Sequence, residues 1–140
     1  MTIAALSAVL RLYADPVRLA ERLPVIRLLA RPVTDIRAAA ERLLPALAEA
    51  VERSGSVHVI SCQSEIGSGA LPTRTLESAG LAIRPAAERR VGTALQRIAS
   101  AFRHLPVPVI GRIEDDAFII DVRCLDDESA FTAQLAALSI

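Results

Sequence analysis

The sequence predicts an α+β fold: a small, mainly antiparallel sheet with helices on one face, preceded by a helical arm. Three observations carry this. The 140 residues suit one compact domain with a real core. The apolar period is helical in the first half and becomes strand-like after Ser56. Two apolar runs then flank Glu114-Asp115-Asp116, a hairpin signal, before a last helical pattern.

In order, Ile3, Leu6, Leu10 and Tyr13 fall on one helical stripe and predict a first helix to about Ala14. Asp15-Pro16 reads as a restart, with Asp as N-cap and Pro in the first helical position. The second helix would carry Leu19, Leu23, Ile26 and Leu29, bend at Pro24 and end before Pro32. A third helix begins near Thr34 or Asp35 and carries Ile36, Ala40, Leu43, Leu47 and Val51, with a kink expected at Pro45. Ser54-Gly55-Ser56 closes it.

"VHVISCQ" alternates and is rich in β-branched residues, so it reads as a strand; "GLAIRP", ending at Pro85, is a second. Val91 to His104 is amphipathic, with Leu95, Ile98 and Phe102 on one face. After the hairpin, Asp126, Asp127 and Glu128 open a last helix, where acidic side chains suit the positive end of the dipole. Phe131, Leu135 and Leu138 form its stripe. The domain expectation is an arm or interdomain linker over 1–31 and a small α+β domain over 32–140. The expected core centres on Ile60, Leu81, Ile83, Leu95, Ile98, Phe102, Val109, Ile119 and Phe131.

Composition excludes several functions. Hydrophobic residues make up 52% and charged residues 23%, a globular and not a disordered balance. No apolar run approaches the roughly 20 residues a bilayer span needs, and the N-terminal stretch lacks the basic start of a secretion signal. No membrane association and a cytoplasmic location are expected. The formal net charge is zero and aromatic residues are 3%, which argues against a domain that binds nucleic acid mainly through its own field or by base stacking. Cys62 and Cys124 read most simply as buried free thiols in strands. His58 and His104 stand in no metal-ligand spacing, so no metal is expected. All sixteen basic residues are arginine. Covalent chemistry that needs a lysine, such as an imine to a carbonyl cofactor, has no residue to use here.

No catalytic triad, zinc-protease helix, Cys-x-x-Cys or phosphate loop with lysine occurs. The candidates are therefore few. Gly67, Ser68 and Gly69 form a Gly-Ser-Gly between the two strands: either a turn whose glycines permit positive φ, or a loop whose N–H groups approach a ligand closely. Arg112 lies in a strand beside Gly111, either on a solvated face or aimed at an anion that its planar fork would grip. Arg123 has the same two readings with less support. Asp115 and Asp116 are turn residues, and Arg89-Arg90 a solvated pair.

Three stretches together, "ALSAVLRLYADPVRLAERLPVIRLLARP", "SEIGSGALPTRTLESAGLAIRP" and "LPVPVIGRIEDDAFIIDVRCL", resemble the C-terminal part of bacterial selenocysteine synthase, the L-seryl-tRNA selenium transferase family. The likeness runs through nearly the whole chain in order. Ala70 departs from the family's more usual "GSGSLP", which keeps the glycines and loses a hydroxyl.

The resemblance implies the small domain of a pyridoxal-phosphate enzyme of the aspartate aminotransferase fold (fold type I), which makes selenocysteinyl-tRNA from seryl-tRNA and selenophosphate. It implies that the cofactor lysine lies in a large domain upstream and that tRNA is held by regions outside this chain. The chain alone would bind no cofactor, carry no catalytic residue and be inactive. Its partners would be the rest of its own chain and further copies in a homo-oligomer. Gly67, Ser68, Gly69 and, with less support, Arg112 would face the active-site cleft as one of its walls. Two alternatives stand beside this: the small domain of a related pyridoxal-phosphate lyase acting on a small amino acid or amino-sugar acid, and a free-standing α+β interaction module.

Overall fold

The computed structural model describes residues 2–65, 75–86 and 90–140. Chain contacts divide it into two compact units, Met1–Pro32 and Val33–Ile140.

The first unit is three short helices: α1 (Thr2–Leu12), α2 (Leu19–Arg22) and α3 (Pro24–Leu29). The stripe expected on α1 is there, but Ile3, Leu6, Leu10 and Tyr13 are all more than half exposed. The helix expected from Asp15 to Leu29 is two pieces. Asp15 does act as a cap, its Oδ1 accepting from the Arg18 N–H at 3.4 Å, yet it closes a turn and α2 begins only at Leu19. Pro24 breaks the helix where a bend was expected. Leu23 adopts φ −111°, ψ 107°, the extended geometry that a following proline imposes, and Pro24 then starts α3.

The second unit opens with α4 (Val33–Val51), continues as β1 (Gly55–Glu65), β2 (Thr75–Pro85), α5 (Val91–Arg103), β3 (Arg112–Glu114) and β4 (Ala117–Asp121), and ends with α6 (Glu128–Gln134) and a 3-10 turn over Leu135–Ala137. α4 runs through Pro45 as one helix. Pro45 and Glu41, whose carbonyl the proline leaves without its usual donor, are both exposed, so water can serve that carbonyl. Asp127 caps α6 by accepting from the Ala130 N–H at 2.8 Å. Arg42 on α4 grips Glu128 at the start of α6 through Nε and Nη2, at 3.0 and 2.7 Å.

The sheet has four strands in the order β1-β2-β4-β3, all antiparallel. Alternation sorts its side chains into two faces. Val57, Ala79, Leu81, Ile83, Phe118, Ile120 and Val122 point to one side, where they meet Ile36, Leu43 and Leu47 of α4, Leu95, Ile98 and Phe102 of α5, and Phe131 of α6. Phe102 and Phe118 stack tilted, with ring centres 5.4 Å apart. Among the described residues no helix of this unit covers the other face; Ala82, Ala117 and Ile119 form a small second cluster there, with Ile60 against it. Of the expected core centre, Ile60 and Val109 are only partly buried.

β2 starts five residues before the "GLAIRP" of the sequence reading and is buried without interruption from Ser78 to Ile83. Gly80 sits at its middle, opposite Ile60 on one side and Asp121 on the other. A Cβ there would stand 2.6 Å from the Ile120 carbonyl oxygen. Replacing Gly80 with alanine should lower stability by about 1–3 kcal/mol, the usual cost of overpacking, measured as a lower urea midpoint. The β3–β4 hairpin turns on Asp115 (φ 49°) and Asp116 (φ 55°), the two left-handed residues of a type I′ turn. An L-residue in that region costs roughly 1–2 kcal/mol and aspartate less, so Asp116→Gly should raise the same midpoint, by about 0.5–1 kcal/mol in stability.

Candidate functional site

The helix-free face of the sheet gathers polar side chains from all four strands. Alternation places Cys62 and Ser64 of β1, Ser78 of β2, Asp121 of β4 and Arg112 and Glu114 of β3 there. Asp121 is the hub. Its carboxylate accepts from Ser64 Oγ in a very short hydrogen bond, from Ser78 Oγ at 2.7 Å and from the Arg123 backbone N–H at 3.0 Å. Ser64 and Ser78 are buried, so without this acceptor their hydroxyls would be stranded.

Arg112 is half-buried on the edge strand, and its Nε donates to Glu114 Oε2 at 2.9 Å. The two lie two residues apart and therefore on the same face. Burial works against the guanidinium charge, but Glu114 and the neighbouring Cys62 more than offset it, and the Arg112 pKa is raised. Burial also pushes the Cys62 thiol up; the Asp121 carboxylate adds to this and Arg112 opposes it. Cys62 is thus a protonated thiol at neutral pH and a poor nucleophile.

A groove of about 450 Å³ opens over this region, lined by Cys62, Arg112 and Ile119 and by the carboxylates Glu65, Glu114 and Asp115. One guanidinium among three carboxylates, already paired with one of them, is a positioned cation and not a bare anion trap. Glu65 and Thr75, which pair with each other at the ends of β1 and β2, also line the groove. The segment 66–74 that joins them lies outside the described residues, and so do Gly67, Ser68 and Gly69.

Other expectations are corrected. Cys62 is partly buried and Cys124 is exposed, in a turn beyond β4 and not in a strand. Arg123 is not on a solvated face. It is 3% exposed, and its Nη2 donates to the Glu77 carbonyl in a very short contact, so it fastens β2 to the end of β4. Asp121, Ser64 and Ser78 were missed. The available signal was an aspartate closing the apolar run "AFII", with serines placed to share its face. Among the described residues, no three His, Cys, Asp or Glu side chains gather as metal ligands, and no helix is long and apolar enough to cross a membrane.

Comparison with known proteins gives the family. The family model of L-seryl-tRNA selenium transferase matches residues 1–126. The L-seryl-tRNA(Sec) selenium transferase of Methylocella silvestris is 55% identical over 97% of this chain and 28% of its own length. Those of Klebsiella pneumoniae (strain 342) and Rhizobium meliloti are 52% and 47% identical, each over 96% of this chain, which covers 29% and 28% of their lengths. The chain thus spans less than a third of the curated relatives it matches. It belongs to the L-seryl-tRNA selenium transferase family, within which it corresponds to the C-terminal domain.

Proposed function

We propose that this chain is the small C-terminal domain of an enzyme that transfers selenium from selenophosphate to seryl-tRNA, and that it closes one wall of the active site. The observation that carries the reading is the match to selenium transferases across almost the whole chain, within less than a third of their length. The helix-free face of the sheet supports it: it is ordered by Asp121, edged by Arg112 and left open by this unit's own helices.

Pyridoxal phosphate is the cofactor the resemblance implies. When bound, it would supply the electron sink for loss of the seryl hydroxyl. The chain's own donor set does not fit its covalent attachment, because all sixteen basic residues are arginine. The residues of this chain act by position. Glu114 holds the Arg112 fork over the groove, and the protonated Cys62 beside it adds no competing nucleophile. In this reading the Gly67-Ser68-Gly69 segment, which joins Glu65 to Thr75 in sequence, is a further candidate for that wall. The remainder of the parent chain and further copies of it are the partners of this reading, and the cytoplasm its compartment.

In the longer enzyme, replacing Gly67 and Gly69 with alanine should lower turnover at least about tenfold, a loss of about 1.4 kcal/mol of transition-state stabilisation. The unfolding midpoint of the 140-residue chain should hardly move. Arg112→Gln should act in the same sense. Transfer of selenium to seryl-tRNA and urea unfolding are the two measurements. Equal losses in both would leave the loop a turn and nothing more.

A further inference from the structure

Among the described residues, the solvent side of α5 presents cations and hydroxyls and no Asp or Glu side chain lines its grooves. Between Val91 and His104 the sequence has Arg97, Ser100 and Arg103 but not one acidic residue. A groove of about 480 Å³ lies between Arg53 and Ser54, just after α4, and Arg97 of α5. A second, of about 490 Å³, runs on past Arg97 to Ser100, His104 and Ser139. Arg97 lines both, so the cationic surface is continuous.

Ion pairing does not neutralise the arginines of this surface. Arg18, Arg42 and Arg112 each hold a carboxylate. Arg53 and Arg97 form no ion pair with any described carboxylate. The His104 Nδ1–H donates to the Ser100 carbonyl at 2.7 Å, which fixes the ring and leaves Nε2 on its far side. Two unpaired guanidinium forks with serine hydroxyls beside them suit tetrahedral oxyanions. The grooves are open to solvent, so a single small anion gains little from them. A polyanion that releases counterions as it binds gains more.

We propose that the Arg53–Arg97 groove is a phosphate site whose occupant is the phosphodiester backbone of RNA. The choice of RNA rests on the reading above that the parent enzyme acts on a tRNA. The net charge of zero means that the contact positions RNA and is weak in isolation; it adds to whatever the remainder of the enzyme holds.

The test is a titration of the isotope-labelled 140-residue chain at low salt, with an unmodified RNA hairpin and separately with inorganic phosphate, followed by NMR. RNA should shift the signals of Arg53, Ser54, Arg97 and Ser100. The double variant Arg53→Gln/Arg97→Gln should bind RNA at least about tenfold more weakly and lower the log–log salt slope by about 2. Both side chains are exposed, so its spectrum should stay dispersed. Arg103→Gln removes the same charge from a residue that lines neither groove and should change little. Shifts mapping elsewhere, or equal weakening by Arg103→Gln, would overturn the site. Inorganic phosphate binding as tightly as RNA would overturn the RNA occupant. The readout is binding by this chain, so a failure of selenium transfer with RNA binding intact would count against the functional reading alone.

Discussion

The sheet depends on one strand whose central stretch has no free surface. β2 pairs with β1 along its whole length and with β4 over Gly80 to Ile83, and from Ser78 to Ile83 it is buried. A strand covered at both edges and on both faces must alternate between two apolar environments. β2 does so with Ala79, Leu81 and Ile83 toward the helices and Gly80 and Ala82 toward the other side. On the helix-free face this buried stretch of β2 carries only small residues, Ser78, Gly80 and Ala82. Large ones there would stand out from the sheet with no helix to cover them, whereas glycine and alanine leave a shallow floor. That floor is where the long side chain of Arg112 has room to lie beside Cys62.

The polar hub at Asp121 follows from the same constraint. β4 stops pairing at Gly80, so the remainder of β2 toward Thr75 lacks a neighbour on that edge. Three things cover it in place of a strand: the Asp121 carboxylate across Ser64 and Ser78, the Val122 N–H on the Ala79 carbonyl at 3.1 Å, and the Arg123 guanidinium on the Glu77 carbonyl. Side chains thus finish a ladder that the backbone leaves incomplete. The result is that β1 and β2 stay paired up to Glu65 and Thr75, the residues that the segment with Gly67-Ser68-Gly69 joins in sequence.

Elements with a strong period and a defined cap were legible from sequence. α5 declared itself through Leu95, Ile98 and Phe102, the β3–β4 hairpin through its acidic turn, and α6 through Asp127. What was not legible depended on neighbours. "TLESA" has the composition of a helix start, and it is strand because β1 pairs with it and Asp121 accepts from Ser78. Pro24 and Pro45 look alike in sequence. The first breaks a short helix that buries nothing; the second is carried by α4, whose other face buries Ile36, Leu43 and Leu47. Packing decided the difference, and one chain read without its fold does not show packing. The candidate site divided the same way. Arg112 was found because glycine and apolar residues frame it, while Ser64 and Ser78 become partners only once the register is known.

The net charge of zero hides an uneven distribution. Around the groove of the helix-free face, Glu65, Glu114 and Asp115 outnumber Arg112. On the far side of α5, no described Asp or Glu side chain lines the grooves with Arg53 and Arg97. At physiological salt the Debye length is about 8 Å, so each region acts on a ligand through its own charges and the other is screened. A summed charge therefore describes solubility and leaves recognition to local arrangement. With sixteen arginines and no lysine, its permanent side-chain cations are planar forks suited to gripping an oxyanion or carboxylate and unsuited to giving up a proton. That chemistry suits the role proposed above, in which this domain holds and aligns groups at one wall of an active site.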